Sequence, residues 1–232
     1  MSEQSKVLFA ASSQAELQTA IRALEITVAP RHEGRSSNDV EQWAIHRLLR
    51  SMPEGRFSYP VTLTRTEKPD FLLSIAGHVI GIEHTEAVSH VEAVIDSEQG
   101  KLAAAGMDVP NARMMDARSP DDPRMSKAEA QAVRPQGTPF VGDELEENWL
   151  HAMQHFIGKK VEKFARYQRS DSKAVLVYDN WPATGLDVSK AASMLHDRLK
   201  KSATFALIDS VFVLRHDTII NLTASDLRFF KP

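Results

Sequence analysis

Pro69-Asp70-Phe71-Leu72-Leu73-Ser74-Ile75, Ala76-Gly77-His78 and Val79-Ile80-Gly81-Ile82-Glu83-His84-Thr85 are three consecutive pieces of one stretch, and the reading of the chain turns on them. Two β-forming runs separated by a turn-sized gap predict a hairpin. Strand alternation puts Val79, Gly81, Glu83 and Thr85 on one face. Asp70 opens the first run directly after Pro69, so pairing of the two strands lets Asp70 and Glu83 approach each other. Clustered carboxylates repel unless a hard cation joins them. Mg²⁺ suits such a pair, because it takes oxygen ligands and keeps waters for a substrate phosphate. A metal held there activates water and offsets charge at phosphorus.

Upstream, Asn38 to Met52 reads as a helix, with Ser37 or Asn38 able to cap its first turn. Ala44, Ile45, Leu48, Leu49 and Met52 share its apolar face. Glu41 falls in the middle of that face, where a carboxylate is costly unless something pairs with it. Phe57 to Thr64 reads as a strand, with Pro60 marking an edge or bend. Residues 1–36 are weakly patterned and read as an N-terminal extension, with a short helix over Ala15–Leu24 and a loop over Arg31–Ser37.

Downstream, residues 87–144 are polar and turn-rich and read as an insertion, with short helices near Val91–Ala105 and Ser126–Val133. Leu145 to Tyr167 carries the strongest helical stripe, Leu150, Met153, Ile157, Val161 and Phe164. Ala174 to Tyr178 is an all-apolar run typical of a strand buried on both faces. A helix over Val188–Lys201 and strands over Phe205–Leu214 and Thr218–Leu222 complete the order. The expected fold is therefore a single α/β domain of the mixed α+β kind, a central mixed sheet flanked by helices.

On these residues the chain resembles the PD-(D/E)xK, restriction-endonuclease-like nucleases. Pro69-Asp70, twelve intervening residues and then Glu83-x-Thr85 stand on the matching elements of the helix-strand-strand-strand-helix-strand core. Glu41 stands where that family often places a glutamate on the first core helix. The resemblance spans roughly residues 38–86 and 146–180. It implies a metal-dependent phosphodiesterase, endonuclease-like, acting on nucleic acid, with DNA the first expectation. It also implies Mg²⁺ or Mn²⁺ held by Asp70 and Glu83, with Glu41 and the backbone carbonyl of His84 as further ligands.

The sequence departs from that pattern at Thr85, where the family places a lysine. A threonine hydroxyl has no charge to set against a developing phosphorane. Some members take the lysine from the following helix, which here offers Lys159, Lys160 and Lys163. At about 100° per residue, with Ile157 as zero, Lys160 falls near −60° inside the apolar stripe and Lys163 near −120° at its edge. Lys159 falls near 200°, toward solvent. Lys160 is thus the first candidate for the displaced catalytic lysine and Lys163 the second. Lys163, Arg166 and Arg169 would hold phosphates without reading sequence.

The totals set limits on this reading. The chain has 232 residues, 42% hydrophobic and 25% charged, which is ordinary for a globular protein. It has no cysteine, which excludes disulfides, zinc-thiolate sites and thiol catalysis. No apolar run spans a membrane, and the first residues lack a signal-peptide layout, so the expected setting is cytoplasmic, without a membrane partner. The sequence leaves the oligomeric state open, a homodimer included. The net charge of −3 divides into −8 over residues 1–150 and +5 over residues 151–232, which permits a local phosphate-binding face.

Other constellations are weaker. His151 and His155, four apart, lie off the apolar stripe and read as a solvated face. His84 alternates to the face opposite Glu83, as a packing residue. Trp43, Trp149 and Trp181 read as core and interface residues. Neither a Gly-x-Ser-x-Gly elbow nor a phosphate-binding Gly-rich loop is present. Two rival readings are a binding or regulatory module on the same fold with lost catalysis, favoured by Thr85 and the acidic total, and an unrelated interaction protein with structural carboxylates.

Overall fold

The structure is a computed structural model that describes residues 5–53, 55–109, 118–133, 140–164, 167 and 170–231. Among these residues, eight strands form one mixed sheet in chain order: β1 (Lys6–Ala11), β2 (Val61–Arg65), β3 (Phe71–Ile75), β4 (His78–Ala87), β5 (Ser172–Asp179), β6 (Ser210–Arg215), β7 (Thr218–Thr223) and β8 (Leu227–Phe230). Strands β4, β5 and β6 run parallel and all other neighbours are antiparallel.

Helices cover both faces. On one side, α1 (Gln14–Ala23) and α2 (Ser37–Ser51) bury Leu17, Ala44, Ile45, Leu48 and Leu49 against Leu63, Phe71, Ile82 and Leu176. On the other, α5 (Glu144–Phe164) and α6 (Val188–Lys201) pack Trp149, Met153, Ile157 and Leu195 on Val175, Val177, Val211 and Val213. Full burial of each such side chain contributes about 1.5–3 kcal/mol of transfer free energy. The all-apolar run of β5 follows from this, since alternate residues feed the two cores. Helices α3 (His90–Ala104) and α4 (Lys127–Ala132) make a small third cluster around Val91, Ile95 and Ala130.

The mixed α/β class and the order of central elements agree with the sequence reading; several edges differ. Lys6–Ala11, inside the segment read as an extension, is a sheet strand paired with β2, with a register shift between Val7 and Phe9. The strand expected over Phe57–Thr64 starts only at Val61, after Pro60, which has no N–H to donate. Residues Thr204–Ala206 form a 3₁₀ turn rather than the start of a strand. The preceding Ala203 has φ 55, so the chain turns before β6 begins. Strand β8 carries no alternating signal in sequence and is fixed by pairing with β7.

Candidate functional site

The hairpin register places the two carboxylates. Phe71 pairs with Ile82, so Asp70 stands opposite Glu83 at the point where β3 stops. Strand β4 continues for five further residues, Glu83 to Ala87, paired only with β5. Its other edge is bare there, and Asp70 meets the first free amide: Asp70 Oδ2 accepts the His84 N–H at 2.6 Å. A carboxylate thereby replaces the ladder partner that β3 no longer supplies. Gly81 makes this approach possible, because a Cβ at that position would lie 3.1 Å from Pro69 Cγ and 2.9 Å from Ser170 Oγ.

Lys160 reaches the pair from α5. Its Nζ lies 2.8 Å from Glu83 Oε2 and 3.5 Å from Asp70 Oδ2. The two carboxylates are therefore no further apart than those two contacts laid end to end. Lys160 has this position because it sits within the buried stripe of α5, whereas Lys159 and Lys163 are exposed. Glu83 is almost wholly buried, with 3% of its side chain accessible.

The electrostatics follow from crowding. Burial pushes the Glu83 carboxyl above its ordinary pKa, the charge of Asp70 adds to this, and the Lys160 hydrogen bond and charge pull it back. Burial alone would lower the Lys160 ammonium, but Asp70 and Glu83 overcome it and raise its pKa. Lys163 is near enough for its charge to lower Glu83. Tyr167 lies near the same group: burial and the charge of Glu83 raise the pKa of its hydroxyl. The sequence reading placed Tyr167 at the end of the Leu145–Tyr167 helix without assigning it a contact.

A cleft of about 430 Å³ opens along the free edge of β4. Lys160, Thr85, Glu86, Glu41, Arg31 and Arg35 line it. Arg31 donates to Glu86 Oε1 at 2.5 Å, Arg35 donates to the same oxygen, and Asn180 Nδ2 donates to it at 3.0 Å. Sequence reasoning missed this convergence, because Arg31 and Arg35 lie in a loop without periodicity and more than fifty residues from Glu86.

Three expectations need correction or restriction. Glu41 does not join Asp70 and Glu83: it pairs with Arg65 at 2.7 Å, on the side of the sheet covered by α2. The His84 side chain points away from Glu83, as alternation predicts. Burial, with the charges of Lys160 and Arg65, lowers its imidazole to about 3 and holds it neutral. Its assigned role as a ligand rests on the carbonyl alone. Arg166 and Arg169 lie outside the described residues. Among the described residues no group of three or more histidine, aspartate or glutamate side chains is placed to hold a metal ion.

Asp70 and Glu83 therefore form a two-carboxylate site. That donor set fits Mg²⁺ or Mn²⁺, which bind through one or two carboxylates while keeping waters and taking substrate phosphate oxygens. Among the described residues Lys160 is the cation in contact with both carboxylates, Glu83 being buried and Asp70 partly exposed. No helix among the described residues is long and apolar enough to cross a membrane. The chain matches no protein-family model, no curated protein and no solved structure.

Proposed function

We propose that the chain is a metal-dependent phosphodiesterase acting on nucleic acid, with DNA as the first substrate. The observation that carries this reading is the meeting of Asp70, Glu83 and Lys160 at the point where β3 leaves β4. The same observation supports the likeness to PD-(D/E)xK nucleases, in the variant whose lysine comes from the following helix.

In this reading Asp70 and Glu83 hold Mg²⁺ or Mn²⁺, with the His84 carbonyl as an additional oxygen donor. The bound metal supplies an activated water and offsets charge on the phosphate. Lys160, fixed by both carboxylates, orients the attacking water and faces the developing negative charge. Lys163, exposed one turn further on, meets a phosphate of the backbone without reading sequence.

The test is cleavage of single- and double-stranded DNA and RNA with Mg²⁺ or Mn²⁺, comparing the parent with Asp70→Ala. Metal-dependent cutting that disappears in the variant is the expected result. Absence of cutting by either protein, with fold and metal binding intact, defeats the nuclease reading and leaves a binding module.

A further inference from the structure

A second cleft, of about 710 Å³, lies at the carboxyl ends of β5 and β6. In open α/β sheets this end of parallel strands is the usual place for ligands. Its floor is rigid. Asp179 Oδ2 accepts from Trp149 Nε1 at 2.7 Å and from Arg215 at 2.8 Å, and Asp179 Oδ1 accepts the Trp181 N–H at 3.0 Å. Its wall is aromatic. Trp43 of α2 and Tyr178 of β5 lie with ring centroids 4.9 Å apart, tilted by 58°. The Arg47 guanidinium stands 5.8 Å from the Trp43 ring centroid and is held at 2.5 Å by Asp217, whose side chain is 86% exposed. An ion pair with so exposed a partner is weak and gives way to a competing phosphate.

The two clefts adjoin. Helix α2 contributes Glu41 to the first and Trp43 and Arg47 to the second. Asn180 lines the second cleft and donates to Glu86 in the first. Arg31 and Arg35 meet at that same glutamate. A path therefore runs from the Asp70–Glu83–Lys160 site, past two guanidiniums, to a half-buried indole backed by a third.

We infer that this aromatic groove stacks an unpaired base of single-stranded nucleic acid, whose backbone crosses Arg31 and Arg35 to reach the Asp70–Glu83–Lys160 site. The inference rests on the nuclease reading for the identity of the chain that enters. Rings combined with cations bind single strands through stacking and phosphate attraction, with little dependence on base identity. A duplex offers no free ring face to Trp43, so the groove selects single strands. Trp43, which the sequence alone marks as a core or interface residue, is thereby assigned to the substrate.

The tryptophans provide the readout. Trp149 and Trp181 are buried, at 0% and 3% exposure, so Trp43 is the indole a base can reach. The full chain, in EDTA, is titrated with a fluorescein-labelled oligothymidylate of about 15 nucleotides, within the span of single-strand sites, and with the matching duplex. Binding is followed by anisotropy, and tryptophan emission is followed with the unlabelled strands.

The expected result is single-strand binding at least about tenfold tighter than duplex binding, with quenching of emission. Trp43→Ala weakens it by about ten- to a hundredfold, the range for one stacked base. Trp43→Phe keeps a ring and binds within about threefold of the parent while the quenching disappears. If Trp43→Ala destabilises the fold, the Phe variant and the quenching decide alone.

Equal affinity for duplex, or no quenching in the parent, overturns the groove assignment; metal-dependent cutting lost in Asp70→Ala would then leave the nuclease reading standing. Quenched, ring-dependent binding without cutting under any metal keeps the groove and defeats the nuclease reading. Binding of neither strand form overturns the groove assignment, and the cleavage test then decides the nuclease reading alone.

Discussion

Two carboxylates sit close to the sheet on opposite faces, each beside a cation, and they differ in balance. Glu41 meets Arg65 one to one, and about a fifth of each side chain remains accessible. Glu83 and Asp70 share a single lysine, and Glu83 is almost completely buried. A one-to-one arginine pair is satisfied and has no reason to take up another cation. Two carboxylates in contact with one ammonium, one of them buried, are less fully paired than Glu41, and an incompletely paired buried carboxylate is costly. Such incomplete pairing is commoner at working sites than in scaffolding. The same residue types therefore read as a fastening on one face and as a binding site on the other.

Lysine substitution should break that symmetry most strongly. Lys160→Ala is expected to lower metal-dependent cleavage by about 10²–10³, the range for loss of one preorganised electrostatic contact to a transition state. Lys159→Ala, on the exposed side of the same helix turn, should stay within about twofold, as an exposed side chain outside the site. Single-turnover rates on one DNA substrate decide the matter. Equal rates for parent and Lys160→Ala would remove Lys160 from the chemistry and make it a structural counterion.

Acid should expose the other face. His84 is neutral in the fold, with its imidazole lowered to about 3 from 6.5. A depressed folded-state pKa contributes stability that is fully present above the unfolded value. That contribution is lost as pH falls from about 6.5 toward 3, because the unfolded chain takes up the proton and the fold does not. The limiting slope is about 1.4 kcal/mol per pH unit. Urea unfolding in EDTA between pH 7 and pH 4 measures it. His84→Gln should flatten the slope, and an unchanged slope would assign the acid sensitivity to other groups such as His46, whose pKa burial also lowers.

How much of this was legible in the chain depends on the range of the determining contact. The β3–β4 hairpin was legible because alternation and the turn at Ala76-Gly77 are local; Gly77 takes φ 88, which glycine accommodates readily, while Ala76 takes the left-handed φ 49 beside it. Lys160 was legible because helix periodicity gives each side chain an angle. Glu41 showed as an anomaly on an apolar face, but its partner Arg65 lies on another element, and no local pattern links them. The convergence of Arg31, Arg35 and Asn180 on Glu86 was invisible for the same reason. Edge strands β1 and β8 are defined by their neighbours rather than by their own sequence, and the apolar run from Phe205 to Ile208 mimics a strand until the backbone at Ala203 turns it aside.

Metal binding separates the two carboxylate sites at smaller scale. A cation that binds only the folded state stabilises it by RT ln(1 + [L]/Kd), about 1.4 kcal/mol at tenfold the dissociation constant. Mn²⁺ should raise the unfolding midpoint of the parent, and Asp70→Ala should abolish that rise. Glu41→Gln should behave oppositely. The variant loses about 1 kcal/mol of stability, because a partly exposed pair is screened by solvent and only part of its Coulomb attraction survives. Its Mn²⁺-induced rise should persist in full, since Arg65 rather than a metal engages that carboxylate. A Glu41→Gln protein that folds as firmly as the parent yet no longer responds to Mn²⁺ would place Glu41 among the ligands. The metal would then draw it away from Arg65 and across to Asp70 and Glu83, and the contrast between the two faces would hold only for the metal-free state.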